Sequence, residues 1–231
     1  MFKPFFSIVI PTLNEEKYLP KLLKSLSKQT LRDFEVIVVD GCSKDKTVEL
    51  ALSYADKVVV ERSNIARARN IGARMSSGKY LIFLDADTFV EPKFLEKLMK
   101  VLASSKAKCI ICRPEPANLD LRGRLGYAFG WLLAKLRLSP PCYMGLIMEK
   151  EAFKKLGGFN EDLAYGEDLD LLKRASLSMK IVFPKDLFTY NDTRRWMKNG
   201  KIDFLSILKL TFMFLKCLLT GKSGPSYPII R

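Results

Sequence analysis

The chain contains no histidine, a single glutamine (Gln29) and no long apolar run at its start. Without histidine there is no Ser-His or Cys-His nucleophile and no imidazole metal ligand, so any chemistry has to run on carboxylates and cations. Cysteine is sparse as well: five residues, at 42, 109, 112, 142 and 217, form an odd and irregular set. That spacing excludes a dense disulfide scaffold and favours a reducing cytoplasm. "CIIC" at 109–112 has CxxC spacing. No second pair and no histidine complete a four-ligand zinc site, so two packed strand cysteines are expected. The stretch "FFSIVI" before Pro11 is too short for a signal-peptide core or a membrane span, and export is not expected. Acidic residues are outnumbered, 25 against 39 Lys plus Arg, for a formal net charge of +14. That balance suits anionic partners such as nucleotides, nucleic acid or acidic lipid headgroups, without choosing among them.

What is present is a chain of 231 residues, 48% hydrophobic, long enough to bury one sizeable core. In the first half, continuous apolar runs alternate with helical periodicity: "FSIVI", then leucines at 19, 22, 23 and 26, then "FEVIVVD", "KTVELALSYAD", "KVVVE", "IARARNIGARMSS" and "KYLIFLDAD". This pattern predicts a parallel sheet covered on both faces, with ligands beyond the carboxyl ends of the strands. Three strand ends carry polar residues there: Pro11, Thr12 and Asn14; Asp40, Gly41 and Ser43; Asp85 and Asp87. Each set also has a structural reading. Asn14 suits a helix cap, "DGCSKD" a turn leading to another cap, and Asp87 a cap for a helix from Glu91. After Ser105 the pattern loosens into an irregular extension of the sheet with loops and helices over its binding edge. One domain is expected over 1–188, followed by a basic tail over 189–231.

Five ordered stretches carry a family likeness: "SIVIPTLNEEKYLPKLLKSL", "FEVIVVDGCSKDKT", "ARARNIGARMSSGKYLIFLDADT", "GGFNEDLAYGEDLDLLKRA" and, more weakly, "DTRRW". In this set the chain resembles the family-2 glycosyltransferases, whose GT-A fold is an α/β nucleotide-binding sandwich. The resemblance implies inverting transfer of a sugar from a UDP- or GDP-sugar to an acceptor, assisted by Mn²⁺ or Mg²⁺. It implies Asp87 as direct metal ligand, and Asp85 reaching the ribose or a metal-bound water. Asp40 is implied on the base, Pro11, Thr12 and Asn14 in the nucleoside pocket, and Arg69 near the nucleotide. Asp168 in "GEDLDLL" is implied as general base, with Glu167, Arg195 and Trp196 toward the acceptor. Structural readings stand beside these. Arg69 suits an arginine covering the sheet or pairing with Asp40, Glu167 and Asp168 suit a helix N-terminus, and Asp170 suits an i,i+4 pair with Arg174. Gly72 and Gly78 suit packing and helix termination. The family often completes its metal site with a histidine; lacking one, this chain is expected to bind metal weakly without donor. Thr193 breaks the Q-x-x-R-W pattern of processive members, so processive synthesis is not expected.

The apolar stretch "IDFLSILKLTFMFLKCLLT", 202–220, places Lys209 and Lys216 on one helical face. That segregation suits an amphipathic helix lying in a membrane interface, with a helix packed on the domain as the plain alternative. Arg194, Arg195, Lys198, Lys201 and Lys222 surround it as a cationic belt suited to anionic lipid. Tyr127 and Trp131 lie in a second apolar stretch. A lipid-linked or glycan acceptor at the inner face of the cell membrane is therefore expected, with a polyprenyl phosphate as the alternative acceptor. Two readings lie outside the class. A sugar-1-phosphate nucleotidyltransferase would need a glycine-rich loop that "PTLNEEKYLP" lacks, and a nucleic-acid-binding module would need clustered cations rather than carboxylates at the edge.

Overall fold

The computed structural model describes residues 4–117, 128, 145–192, 197–198 and 201–202. Its main sheet has seven strands: β1 (Phe6–Thr12), β2 (Phe34–Asp40), β3 (Lys57–Val60), β4 (Tyr80–Leu84), β6 (Cys109–Ile111), β8 (Gly145–Glu149) and β9 (Ile181–Val182). Their order is β3-β2-β1-β4-β8-β6-β9. β3, β2, β1 and β4 run parallel, β8 runs antiparallel to both β4 and β6, and β9 is parallel to β6. A second sheet joins β5 (Thr88–Phe89), β10 (Phe188–Asn191) and β7 (Arg113–Pro116). A short pair, β11 (Met197–Lys198) with β12 (Lys201–Ile202), follows.

Alternation along the strands builds two cores. Phe6, Ile8 and Ile10 of β1, with Tyr80, Ile82 and Leu84 of β4, face α1 (Leu19–Ser27) and α4 (Phe94–Ser105). Val9, Leu81 and Phe83 point the other way, toward α3 (Ile65–Met75), α5 (Lys150–Lys155) and α6 (Glu167–Ser178). The leucines at 19, 22, 23 and 26 are the buried stripe of α1, as their spacing requires. α2 (Thr47–Leu52) covers the outer strands. Gly72 allows α3 to approach β1 closely: a Cβ there would lie 2.3 Å from Val9 Cγ1.

The sheet is mostly parallel as expected, with β8 the antiparallel member, and the boundary expected at 188 coincides with the first residue of β10, a strand paired on both sides. Cys109 and Cys112 are buried free thiols, as expected, and burial pushes the Cys109 thiol up to about 12. Extended backbone at Lys201–Ile202 occupies the residue where the apolar tail segment begins. The rest of that segment, with Tyr127, Trp131, Arg195 and Trp196, lies outside the described residues. Among the described residues, no helix is long and apolar enough to cross a membrane.

Candidate active site

The register aligns the ends of β1 and β2, with Thr12 opposite Asp40. Asp40 is fully buried. Its Oδ2 accepts from Thr12 Oγ1 at 2.8 Å and from Ser43 Oγ at 2.6 Å, while Oδ1 accepts from the Ser43 N–H at 2.7 Å. Asn14 joins the two loops. Its N–H donates to Ser43 Oγ at 2.7 Å, and its Oδ1 accepts from the Lys44 N–H at 2.8 Å. The residue sits at φ 55°, a left-handed conformation that asparagine tolerates well. It does not cap α1, which starts after Tyr18 without a side-chain cap. Pro11, buried in β1, completes this corner.

β4 is parallel to β1, with Phe83 opposite Val9, so Asp85 emerges level with Pro11. The chain turns at once, and the Thr88 N–H donates to the Asp85 carbonyl at 3.0 Å. Asp85 and Asp87 therefore sit on one tight bend, with the small Ala86 tucked into the core between them. The Asp87 carbonyl accepts from the Asp192 N–H at 3.0 Å, which ties the bend to the end of β10. Asp87 does not cap the next helix, because α4 begins at Phe94.

Arg69 of α3 reaches across the gap. Its Nη2 donates to Asp85 Oδ1 at 2.7 Å and its Nη1 to Glu167 Oε1 at 2.6 Å, and the residue is 7% exposed. It does not pair with Asp40, whose carboxylate is held by Thr12 and Ser43. The Phe159 ring lies 5.3 Å from the guanidinium. Arg69, Phe83, Asp85, Leu146, Phe159 and Asp168 share the lining of one small cleft. Burial alone would lower the pKa of Arg69, but the charges of Asp85, Glu167 and Asp168 outweigh it and raise the value.

Gly166, whose φ of 78° suits glycine, leads into α6, which carries Glu167 and Asp168 in its first turn. The Leu169 N–H donates to Asp168 Oδ1 at 2.8 Å. Asp168 keeps a partly exposed edge although protein crowds around it. Burial first, and the charge of Glu167 second, push its carboxyl up to about 7, against the opposing pull of Arg69. Asp170 is different: it pairs with Arg174, whose Nε donates to Asp170 Oδ2 at 2.9 Å. Arg174 also donates to the Leu156 and Gly158 carbonyls. Asn70, the neighbour of Arg69, holds the same loop, with Oδ1 accepting from the Phe159 N–H and Nδ2 donating to the Phe159 carbonyl, both at 2.9 Å. Sequence reasoning passed over Asn70; its place directly after Arg69 on a sheet-facing helix was the available signal. A larger open cleft of about 710 Å³ lies behind this loop. Its charged groups are largely paired with one another, and we place the chemistry at the smaller carboxylate-lined cleft instead.

Among the described residues no three acidic or cysteine side chains gather into a preformed metal cage. Two hard carboxylates two residues apart, those of Asp85 and Asp87, are of the chemistry that would suit Mg²⁺ or Mn²⁺. They do not fit a structural zinc site.

The family model described as Glycosyl transferase family 2 matches residues 7–136, more than half of the chain. The chain belongs to that family. An uncharacterized glycosyltransferase of Haemophilus influenzae is 34% identical over 186 residues, covering 72% of this chain and 60% of that protein. This chain thus spans less than two thirds of that relative's length. In fold, the family-2 chain is similar to the mannosyltransferase PcManGT of Pyrobaculum calidifontis, solved with GDP-Man and Mn²⁺. The TM-score is 0.71 at 21% identity, over 97% of this chain and 67% of that one. It is likewise similar to Staphylococcus aureus TarS 1-349 with UDP-GlcNAc, with a TM-score of 0.67 at 23% identity, over 85% of this chain and 60% of that one. The α/β fold with its mostly parallel sheet is therefore GT-A.

Proposed function

We propose that this family-2 chain is an inverting, metal-dependent glycosyltransferase that moves a sugar from a nucleotide diphosphate sugar to a hydroxyl acceptor. The observation that carries the reading is the meeting at one sheet edge of Asp40 with Thr12, the Asp85–Asp87 turn, and Asp168 with its carboxyl pushed up to about 7. The solved relatives with GDP-Man and UDP-GlcNAc support a UDP- or GDP-sugar donor. Pro11, Thr12, Asn14 and Asp40 form the nucleoside corner. Asp87 would hold Mn²⁺ or Mg²⁺, with Asp85 Oδ2 toward the ribose or a metal-bound water. The bound ion would neutralise charge gathering on the departing diphosphate.

Asp168 takes the proton of the acceptor hydroxyl as its oxygen bonds to the anomeric carbon. The bond from that carbon to the diphosphate breaks, and its electron pair leaves on the phosphate oxygen. A base whose pKa lies near neutrality is suited to this step. Arg195 and Trp196 are assigned to the acceptor side, with Glu167 supporting it through its ion pair with Arg69. The basic, apolar sequence from 202 and the +14 charge support a lipid-linked or membrane-associated acceptor, with the chain peripheral at the inner face of the cell membrane.

The test is a screen of UDP- and GDP-sugars, with Mn²⁺, Mg²⁺ or chelator, that reads released nucleoside diphosphate. Metal-dependent consumption of one donor is expected. Consumption of none, with no nucleotide binding by calorimetry, defeats the reading. Flotation on anionic vesicles, lost on deleting 202–231, tests the membrane part; equal flotation of both chains defeats it.

A further inference from the structure

The resemblance places Arg69 near the nucleotide, and in the structure each of its terminal nitrogens donates to a carboxylate, while its buried Nε has no hydrogen-bond partner among the described residues. Nη1 lies 2.6 Å from Glu167 Oε1 and Nη2 lies 2.7 Å from Asp85 Oδ1, in a residue only 7% exposed. A guanidinium grips a phosphate by offering two parallel N–H groups. Here those groups point at carboxylates from two different elements, one 16 and one 98 residues away in the chain.

We propose that Arg69 is a positioning residue: it clamps the Asp85–Asp87 turn to the start of α6, and so fixes the gap between the phosphate side of the site and Asp168. The inference rests on the roles given above to Asp87 and Asp168. Asp85 is two residues from Asp87 on a tight bend, and Glu167 directly precedes Asp168, so a shift at either end of the clamp moves a reacting group. Three carboxylates, those of Asp85, Glu167 and Asp168, surround this cation. Without it, their mutual repulsion pushes the turn and the helix apart. The planar, forked shape matters too, since a lysine ammonium carries the charge but cannot span both carboxylates in one fixed geometry. A misplacement of about 1 Å in such a site costs roughly 10²-fold in rate.

The test uses the full chain, with Arg69→Lys, Glu167→Gln and the double variant, and reads kcat, calorimetric affinity for UDP or GDP with Mn²⁺, and Tm. Arg69→Met is a harsher variant that is allowed not to fold. The expected result for Arg69→Lys is a kcat loss of roughly 10²-fold with nucleotide affinity within about threefold of wild type. The double variant should be little worse than Arg69→Lys alone, because the two residues act as one device. A rise in nucleotide Kd that accounts for the whole loss, with kcat unchanged, overturns the proposal and makes Arg69 a donor ligand. A fall in Tm with normal kcat in the folded protein overturns it as well, leaving a merely structural pair. A wild-type chain that binds and consumes no donor defeats the functional reading and the positioning role together. The clamp itself would still register as non-additive Tm changes between Arg69→Lys and Glu167→Gln.

Discussion

Glu35 and Glu167 are both buried glutamates, 8% and 5% exposed, and each is ion-paired to a cation, yet their carboxyl groups are driven in opposite directions. Glu35 lies near the start of β2, at the amino end of the sheet. Burial raises its pKa, but donors from Lys57 at 2.8 Å, Ser7 at 2.7 Å and the Ser77 N–H at 2.5 Å prevail and hold it below the ordinary value. Glu167 lies at the carboxyl edge, where burial raises its pKa and Arg69 opposes it, but Asp85 adds to the rise. More protein is stacked over Glu167 than over Glu35, so depth accounts for part of the contrast. The partners account for the rest. One end of the sheet surrounds an acid with donors, whereas the other crowds acids around one arginine, the environment expected of the reactive edge proposed above.

The contrast breaks most sharply at Asp168. Asp168→Asn keeps the shape but cannot accept the acceptor's proton, and a loss of roughly 10²–10⁴-fold in single-turnover transfer is expected, with donor affinity near wild type. Near-normal transfer would remove Asp168 as base and favour a polyprenyl phosphate, which is already ionised and needs none. Next in size is Asp87→Ala. Nucleotide affinity measured calorimetrically with Mn²⁺ should fall by roughly 10-fold or more, to the level that wild type shows with chelator, because the cation loses its protein anchor. Unchanged affinity would defeat the ligand assignment.

Much of this edge was legible in the sequence. Apolar runs of five to seven residues in β1, β2 and β4 are long enough to read, and a parallel sheet then brings Thr12, Asp40 and Asp85 to one side. Strands of two to four residues, such as β5, β7 and β10, carry too little periodicity to announce a second sheet. Pairing across distance was equally hidden. Nothing local in "ARARN" says that Arg69 meets Glu167 98 residues later rather than Asp40, and nothing local to Asn14 separates a helix cap from the partners it has, Ser43 and Lys44, which lie in another loop.

The amino end sharpens the comparison through stability alone. Glu35→Ala removes three donors' partner and strands the Ser7 hydroxyl and the Ser77 N–H, at a cost of about 2–3 kcal/mol. The half-exposed Lys57 adds little to that figure. For a chain of this size the loss is roughly 5–10 °C in Tm, read by thermal melts, with the kcat of the folded enzyme unchanged. The sign with pH follows from the depressed value. The contribution of Glu35 is present above pH 4.5 and is lost as pH falls through its lower folded value, so wild type and variant should converge in acid.

At Asp168 the sign is reversed, and the smallest effect follows from it. Its folded value, pushed up to about 7, lies above the ordinary 3.8, so its favourable contribution is fully present below 3.8 and is lost as pH rises from there through about 7. Above neutrality wild type therefore carries an ionised group that its surroundings disfavour, and Asp168→Asn removes that charge. Asp168→Asn should then melt higher than wild type at pH 8, and the difference should shrink as pH falls and close only below 3.8, where the unfolded carboxyl is protonated as well. With Asp168 as the base proposed above, kcat should rise about tenfold per pH unit up to about 7 and level off beyond it. A variant that melts lower than wild type at pH 8 would mean that Asp168 is supported there as Glu35 is, and the division of the sheet into a stabilising and a reactive end would fail at its central residue.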